Sequence, residues 1–515
     1  LADDQTFHDE IEGYCSPLSY LPGERVALRV STRADRYHVR VERWGETRDL
    51  AWSADDLVGS YVAPPVGADS AGCGWPESVQ VPIGLEWRSG FYLVTLTAEG
   101  APDGRDVAHA CFVVRGRPQQ PRRALYVLET NTWNAYNTWG GCSLYTGGAT
   151  VSFDRPFGRG MLCRPEVDRD DRKARPVRWG EEPDADGLIF QAYRTANDYP
   201  AAIGSTGWFS HGRRFVEWAE AAGYEFDYAI STDLDDGAQS LDGYDLVISV
   251  GHDEYWSAGQ RAAVERHVEL GGAFVSCSGN TMFWQVRIDR DGEATNMVGH
   301  KYRAHLDDPV IADGQPELMS GMWADPVVGR PEWTFLGAGS AFGLYHRFGN
   351  ATARGVGGFV VYRPEHWIMS GTGLGYGDVI GGADGVVGYE TVGCPIQFDD
   401  FQQPVPVDRP DLPPGLEIVG HVPSSNLGVG EYPASISAID DQGDLEFIAE
   451  RIHGADNETN RRRVRNGNAL MLTCRPFGDA GGEVVTIGTT DWVFGLAGDP
   501  AVARVTANAL DRFMG

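Results

Sequence analysis

Basic residues are scarce in this chain. Against 73 aspartates and glutamates stand 43 lysines and arginines, a formal net charge of -30 over 515 residues. A surface of that sign repels a phosphate backbone, so no nucleic-acid partner is expected, and the acidity reads as a solvated, soluble surface. No apolar run approaches the roughly 20 residues that a bilayer span needs, so no membrane partner is expected either. The opening Leu-Ala-Asp-Asp has no basic-then-apolar leader, and a cytoplasmic location is expected. The eight cysteines are scattered, with no C-x-x-C and no zinc spacing. They read as buried free thiols in a reducing compartment, with a stray disulfide in the first domain left open. There is no internal repeat, which excludes solenoids and arrays.

What is present predicts two domains. Residues 1–118 carry short segments at 25–31, 37–43, 91–97 and 111–114 that alternate or are β-branched, separated by Pro/Gly/Asp turns. In Val39-Arg40-Val41-Glu42-Arg43 one face is apolar and the other charged, as expected of a β-sandwich strand. The polar run 115–123, with Pro118 and Pro121, is the expected boundary. From residue 122 to 515 the pattern becomes strand-then-helix, with buried strands expected at 124–128, 226–230, 246–250, 273–277 and 483–487. Helices are expected at 209–222 and from Asp499-Pro500 onward. The expected fold is α/β with an N-terminal all-β sandwich: a doubly wound, mostly parallel sheet carrying a β-rich insertion at about 283–467. A long aperiodic excursion, 130–205, is Gly- and aromatic-rich and reads as functional.

The chain is organised around residues 245–256. Leu246–Val250 is a buried strand, Gly251 turns, and His252, Asp253 and Glu254 follow in a row. The next helix caps itself through Ser257 and Gln260, so Glu254 is not needed as a cap. In open α/β sheets the ligand crevice lies outside the carboxyl ends of the strands. Three other strand ends bring polar groups to the same edge: Thr130–Asn137, Ser278-Gly279-Asn280 and Thr489-Thr490-Asp491-Trp492. Taken singly each has an ordinary structural use. Glu254 suits a salt bridge, His252 a buried backbone partner, Asn280 a turn brace and Tyr136 simple packing.

Together, Thr132-Trp133-Asn134-Ala135-Tyr136-Asn137, Gly251-His252-Asp253-Glu254-Tyr255-Trp256, Ser278-Gly279-Asn280 and Gly488-Thr489-Thr490-Asp491-Trp492 resemble the large, catalytic subunit of the N,N-dimethylformamidase family. The resemblance implies hydrolysis of a small N-substituted formamide or related amide to a carboxylate and an amine. It also implies one non-haem iron, Fe(III), held by two tyrosines and one glutamate. Carried over, Glu254 is the carboxylate ligand, Tyr136 one phenolate and Tyr193 the other, with Tyr145 and Tyr199 as alternatives to Tyr193. His252, Asn280 and Glu390 match positions that line such a site, as catalytic groups. Phenolate and carboxylate are hard donors that suit a hard Lewis acid. A homo-oligomer is expected, with a small partner subunit as an option.

Two other readings stand beside this one. A metal-free hydrolase would use Cys277, Ser278 or Cys142, although none sits in the elbow motif that such sheets use. A non-catalytic carbohydrate- or ligand-binding protein is suggested by the 15 tryptophans.

Overall fold

The computed structural model describes residues 10–102, 104–117, 123–165, 192–290, 294–344, 356–426, 428–431 and 443–515. Alternation builds the first part. In strand Arg36–Trp44 the residues Tyr37, Val39 and Val41 are buried while Arg36 and Arg40 are exposed. Eight strands form two sheets. One has three strands, in the order Ile11–Cys15, Arg25–Thr32, Val79–Pro82. The other has five: Ser19–Tyr20, Val107–Val114, Gly90–Ala98, Arg36–Trp44 and Arg48–Val58. Both contribute to one apolar cluster that includes Val26, Leu28, Val39, Leu96 and Phe112.

A nine-stranded sheet carries the rest. Its order is Phe226–Ile230, Arg123–Leu128, Tyr244–His252, Ala273–Gly279, Val484–Ile487, Asn466–Cys474, Glu417–Ser425, Phe359–Val361, Val379–Ile380. The first five are parallel, as their buried, β-branched runs predict. The remaining four pairings are antiparallel, so the sheet is mixed rather than mostly parallel. The reason is connection length. The short link from Asn466–Cys474 to Val484–Ile487 leaves no room for the crossover that parallel neighbours require. Strands from the expected insertion, 283–467, thus extend this sheet.

The expected boundary falls partly outside the described residues, at 118–122, as does the middle of the expected excursion, 166–191. The described part of that excursion holds helix Thr130–Tyr136, all seven residues of which are buried. A helix buried on every face shows no amphipathic period, which is why none was visible. The β-rich part is tied to the sheet's flank by Arg43, which donates to both Glu220 oxygens at 2.5 and 3.1 Å, and by Trp44 Nε1 to Glu217 Oε1 at 3.0 Å. All eight cysteines are free. No described helix is long and apolar enough to cross a membrane.

Candidate active site

Strand Tyr244–His252 delivers His252 to the carboxyl edge of the sheet, fully buried. Gly251, expected as a turn, stays within the strand, with a φ of +83° in the left-handed region and a missing Cβ that would stand 2.5 Å from His211 Cβ. The next helix, Ala258–Glu269, is capped by Ser257 Oγ, which accepts from Gln260 N at 3.1 Å. Glu254 is therefore free of capping duty. Its backbone N–H donates instead to Thr132 Oγ1 at 3.0 Å, which pins it beside helix Thr130–Tyr136.

The Glu254 carboxylate is the centre of the site. Tyr136 donates to its Oε2 at 3.0 Å, Tyr145 reaches Oε1 at 2.9 Å and Oε2 at 3.0 Å, and Trp284 Nε1 donates to Oε1 at 2.7 Å. The two phenol oxygens are 2.7 Å apart. Glu254 Oε2 also faces His252, whose Nε2 lies 3.2 Å from it and 2.5 Å from Glu390 Oε2. Asn280 Nδ2 donates to Glu390 Oε2 at 3.0 Å, and His252 Nδ1 faces Ser205 O at 3.0 Å and the Tyr389 hydroxyl at 3.3 Å.

The sequence-predicted residues Tyr136, Glu254, His252, Glu390 and Asn280 are thus brought together. For the second tyrosine, the hydroxyl that reaches Glu254 is that of Tyr145. Tyr193 packs its ring 5.8 Å from Tyr199, and its carbonyl accepts from Asn197. Trp284 and Lys301 carried no sequence signal. Lys301 places Nζ 3.0 Å from the centroid of the Tyr145 ring, with Trp284, Tyr255 and Tyr302 at 5.2 to 5.5 Å.

Burial dominates the electrostatics. It pulls the His252 imidazole down, but the facing carboxylates of Glu390 and Glu254 outweigh it and hold the ring well above its ordinary range. Burial pushes Glu254 up, and contact with His252, aided by Lys301, brings it below its usual value. Burial drives the Tyr145 phenol well up and lowers Lys301 to about 7. A phenolate at Tyr145 therefore requires a strong cation beside it. The donor set suits one. Ligand atoms of His252, Glu254 and Glu390 lie within 4.8 Å of one another, all buried, with two phenol oxygens adjoining. One imidazole N–H cannot serve both carboxylates that crowd it, and such an excess of hard acceptors is what a hard cation neutralises.

Strain collects here as well. Asn280, Met282, Lys301 and Glu390 all have positive φ, at 51°, 59°, 52° and 32°. Glu390 is held in place by Thr490, whose N–H and hydroxyl both donate to its carbonyl at 3.2 and 3.1 Å. Gly279 makes room for this: a Cβ there would lie 2.0 Å from Glu390 O and 2.4 Å from Thr490 Oγ1. Gly279→Ala is expected to destabilise the fold by about 1–3 kcal/mol through overpacking. Urea unfolding of the variant measures it, and an unchanged midpoint would show that the contact is soft.

The alternative nucleophiles sit in less activating surroundings. Burial pushes the Cys277 thiol up to about 12, and Ser278 Oγ accepts from Asp253 N at 3.2 Å and donates to Gly279 O. Burial also raises Cys142. Ten of the fourteen described tryptophans are buried.

A family model described as "N,N-dimethylformamidase beta subunit-like, C-terminal" matches residues 38–507. Over 324 residues the chain is 26% identical to the N,N-dimethylformamidase beta subunit of Alcaligenes sp and 23% identical to that of Paracoccus aminophilus. Each match covers 58% of this chain and 36% of the relative, so the chain spans about a third of the curated relatives it matches.

Proposed function

The chain belongs to the N,N-dimethylformamidase beta subunit-like family, and from that premise we propose that it hydrolyses the C–N bond of a small amide, giving a carboxylic acid and an amine. A short N-substituted formamide is the substrate class that the relatives' names support. The observation that carries this reading is the convergence of two phenols, Glu254, His252, Glu390 and Asn280 in one buried cluster. Hard oxygen donors stand beside a carboxylate–imidazole pair, and breaking an amide asks for both.

Tyr136, Tyr145 and Glu254 would hold a mononuclear non-haem ferric iron, which when bound supplies Lewis acidity toward the amide oxygen and water. The chain's own groups do the rest. Glu390 takes the proton of the attacking water. His252, whose pKa the facing carboxylates raise, gives a proton to the departing amine nitrogen as the C–N bond breaks. Transfer across the 2.5 Å Glu390–His252 contact then restores both groups. Asn280 spends one amide N–H on Glu390 and has a second to donate to the substrate oxygen. One water is thereby divided between the acyl carbon and the amine.

The relatives' designation as beta subunits supports a companion subunit, beside self-association of this chain. The test is amine release by the purified chain from N,N-dimethylformamide, N-methylformamide, formamide and acetamide. Release from at least one, lost to an iron chelator, regained with iron and indifferent to thiol alkylation, is the expected result. Release from none, with a companion subunit also supplied, overturns the reading.

A further inference from the structure

The site requires Tyr136 and Tyr145 side by side, yet they belong to different segments. Tyr136 ends helix Thr130–Tyr136, and Tyr145 follows a loop, 137–144, with no regular structure to guide it. Packed against that loop from a later segment is Arg155, which is 1% exposed. Its guanidinium donates to Trp139 O at 2.6 Å, Ser152 O at 3.0 Å, Asn137 O at 3.1 Å, Asn134 Oδ1 at 3.3 Å and Cys142 O at 3.5 Å. Among the described residues no salt bridge reaches it, and the Asp69 carboxylate acts on it only at longer range.

A buried cation with only neutral acceptors is costly, and it is tolerated where its planar fork satisfies several carbonyls at once. Three of the five acceptors here, Asn137, Trp139 and Cys142, are loop backbone, and a fourth, Asn134, sits half a turn before Tyr136. The neighbouring asparagine reinforces the clamp: Asn137 Oδ1 accepts from Trp139 N at 3.1 Å and Gly158 N at 3.0 Å, and its Nδ2 donates to Pro156 O at 2.9 Å. Leu144 N, next to Tyr145, returns to Ala135 O at 3.0 Å, next to Tyr136. The rings meet with centroids 4.3 Å apart.

We propose that Arg155 is a positioning residue: its guanidinium closes loop 137–144 so that the Tyr136 and Tyr145 hydroxyls converge on Glu254. This rests on the site proposed above, but the clamp is tested separately from iron and activity. The protein is labelled with 3-fluorotyrosine and studied metal-free by fluorine NMR, with the two resonances assigned through Tyr136→Phe and Tyr145→Phe. Arg155→Lys keeps the charge and loses the fork. It is expected to shift or broaden the resonances of residues 136 and 145 while leaving most other tyrosines in place. Asn134→Ala, which removes one acceptor, is expected to do the same to a smaller extent, and it carries the test if Arg155→Lys does not fold. In the iron-loaded protein, kcat of Arg155→Lys is expected to fall roughly tenfold or more with KM little changed. Resonances 136 and 145 unmoved in the folded variants would overturn the proposal. A protein that binds no iron and cleaves no amide, yet shows the selective shift, would sink the function and leave the clamp standing.

Discussion

Glu254→Gln is expected to purify with roughly a tenth or less of the iron of the wild type, which is expected to hold about one ion per chain. Glutamine is the right substitution because Glu254 also anchors buried donors. Tyr136, Tyr145 and Trp284 all donate to it, and alanine would leave each unsatisfied at a cost of about 1–3 kcal/mol. An amide keeps one acceptor oxygen and the volume while removing the charge, so metal loss is read on a folded protein. The same preparation separates the tyrosines. A ferric ion on phenolates gives a visible charge-transfer band, and both Tyr136→Phe and Tyr145→Phe are expected to weaken it. Tyr193→Phe is expected to leave it intact, because Tyr145 is the tyrosine whose hydroxyl meets both Glu254 oxygens. A band lost in Tyr193→Phe and kept in Tyr145→Phe would reassign the second ligand. A colourless, metal-free wild type that still cleaves amides would end the iron proposal.

What was legible beforehand follows from locality. A buried run and a self-capped helix lie within some 25 residues of one another, so the placement of His252 and Glu254 at a strand end could be argued from adjacent positions, although the turn expected at Gly251 is strand. Asn280 was legible in the same way, one residue beyond strand Ala273–Gly279. Glu390 has no such frame. It reaches His252 through the bridge between Thr391 and Thr489 and through Thr490, contacts a hundred residues away in sequence that leave no periodicity behind. The choice among Tyr145, Tyr193 and Tyr199 was open for a related reason: it depends on how loop 137–144 closes, and that closure is made by Arg155 from outside the loop. The antiparallel half of the central sheet is likewise a matter of connection length and strand pairing, while the five parallel strands announced themselves by composition.

The second large effect expected is on turnover. Glu390→Gln is expected to lower kcat by about 10²–10⁴-fold while KM changes little and iron content stays at the wild-type level. The distinction comes from geometry. Glu390 meets His252 and Asn280 rather than either phenol, so its replacement leaves the contacts among Tyr136, Tyr145 and Glu254 in place. Glutamine can still meet Asn280, so the turn around Glu390 and its left-handed backbone persist. What it cannot do is accept a proton from water or return one to His252 across their contact. Removing the carboxylate also withdraws the larger of the two charges that hold the imidazole above its ordinary range, so the variant loses its acid along with its base. Steady-state kinetics on whichever amide the wild type cleaves best, with iron measured on the same samples, decides it. A fall in kcat that tracks a fall in iron would make Glu390 a support of the metal site, and an unchanged kcat would remove it from the proton path and leave His252 to act alone.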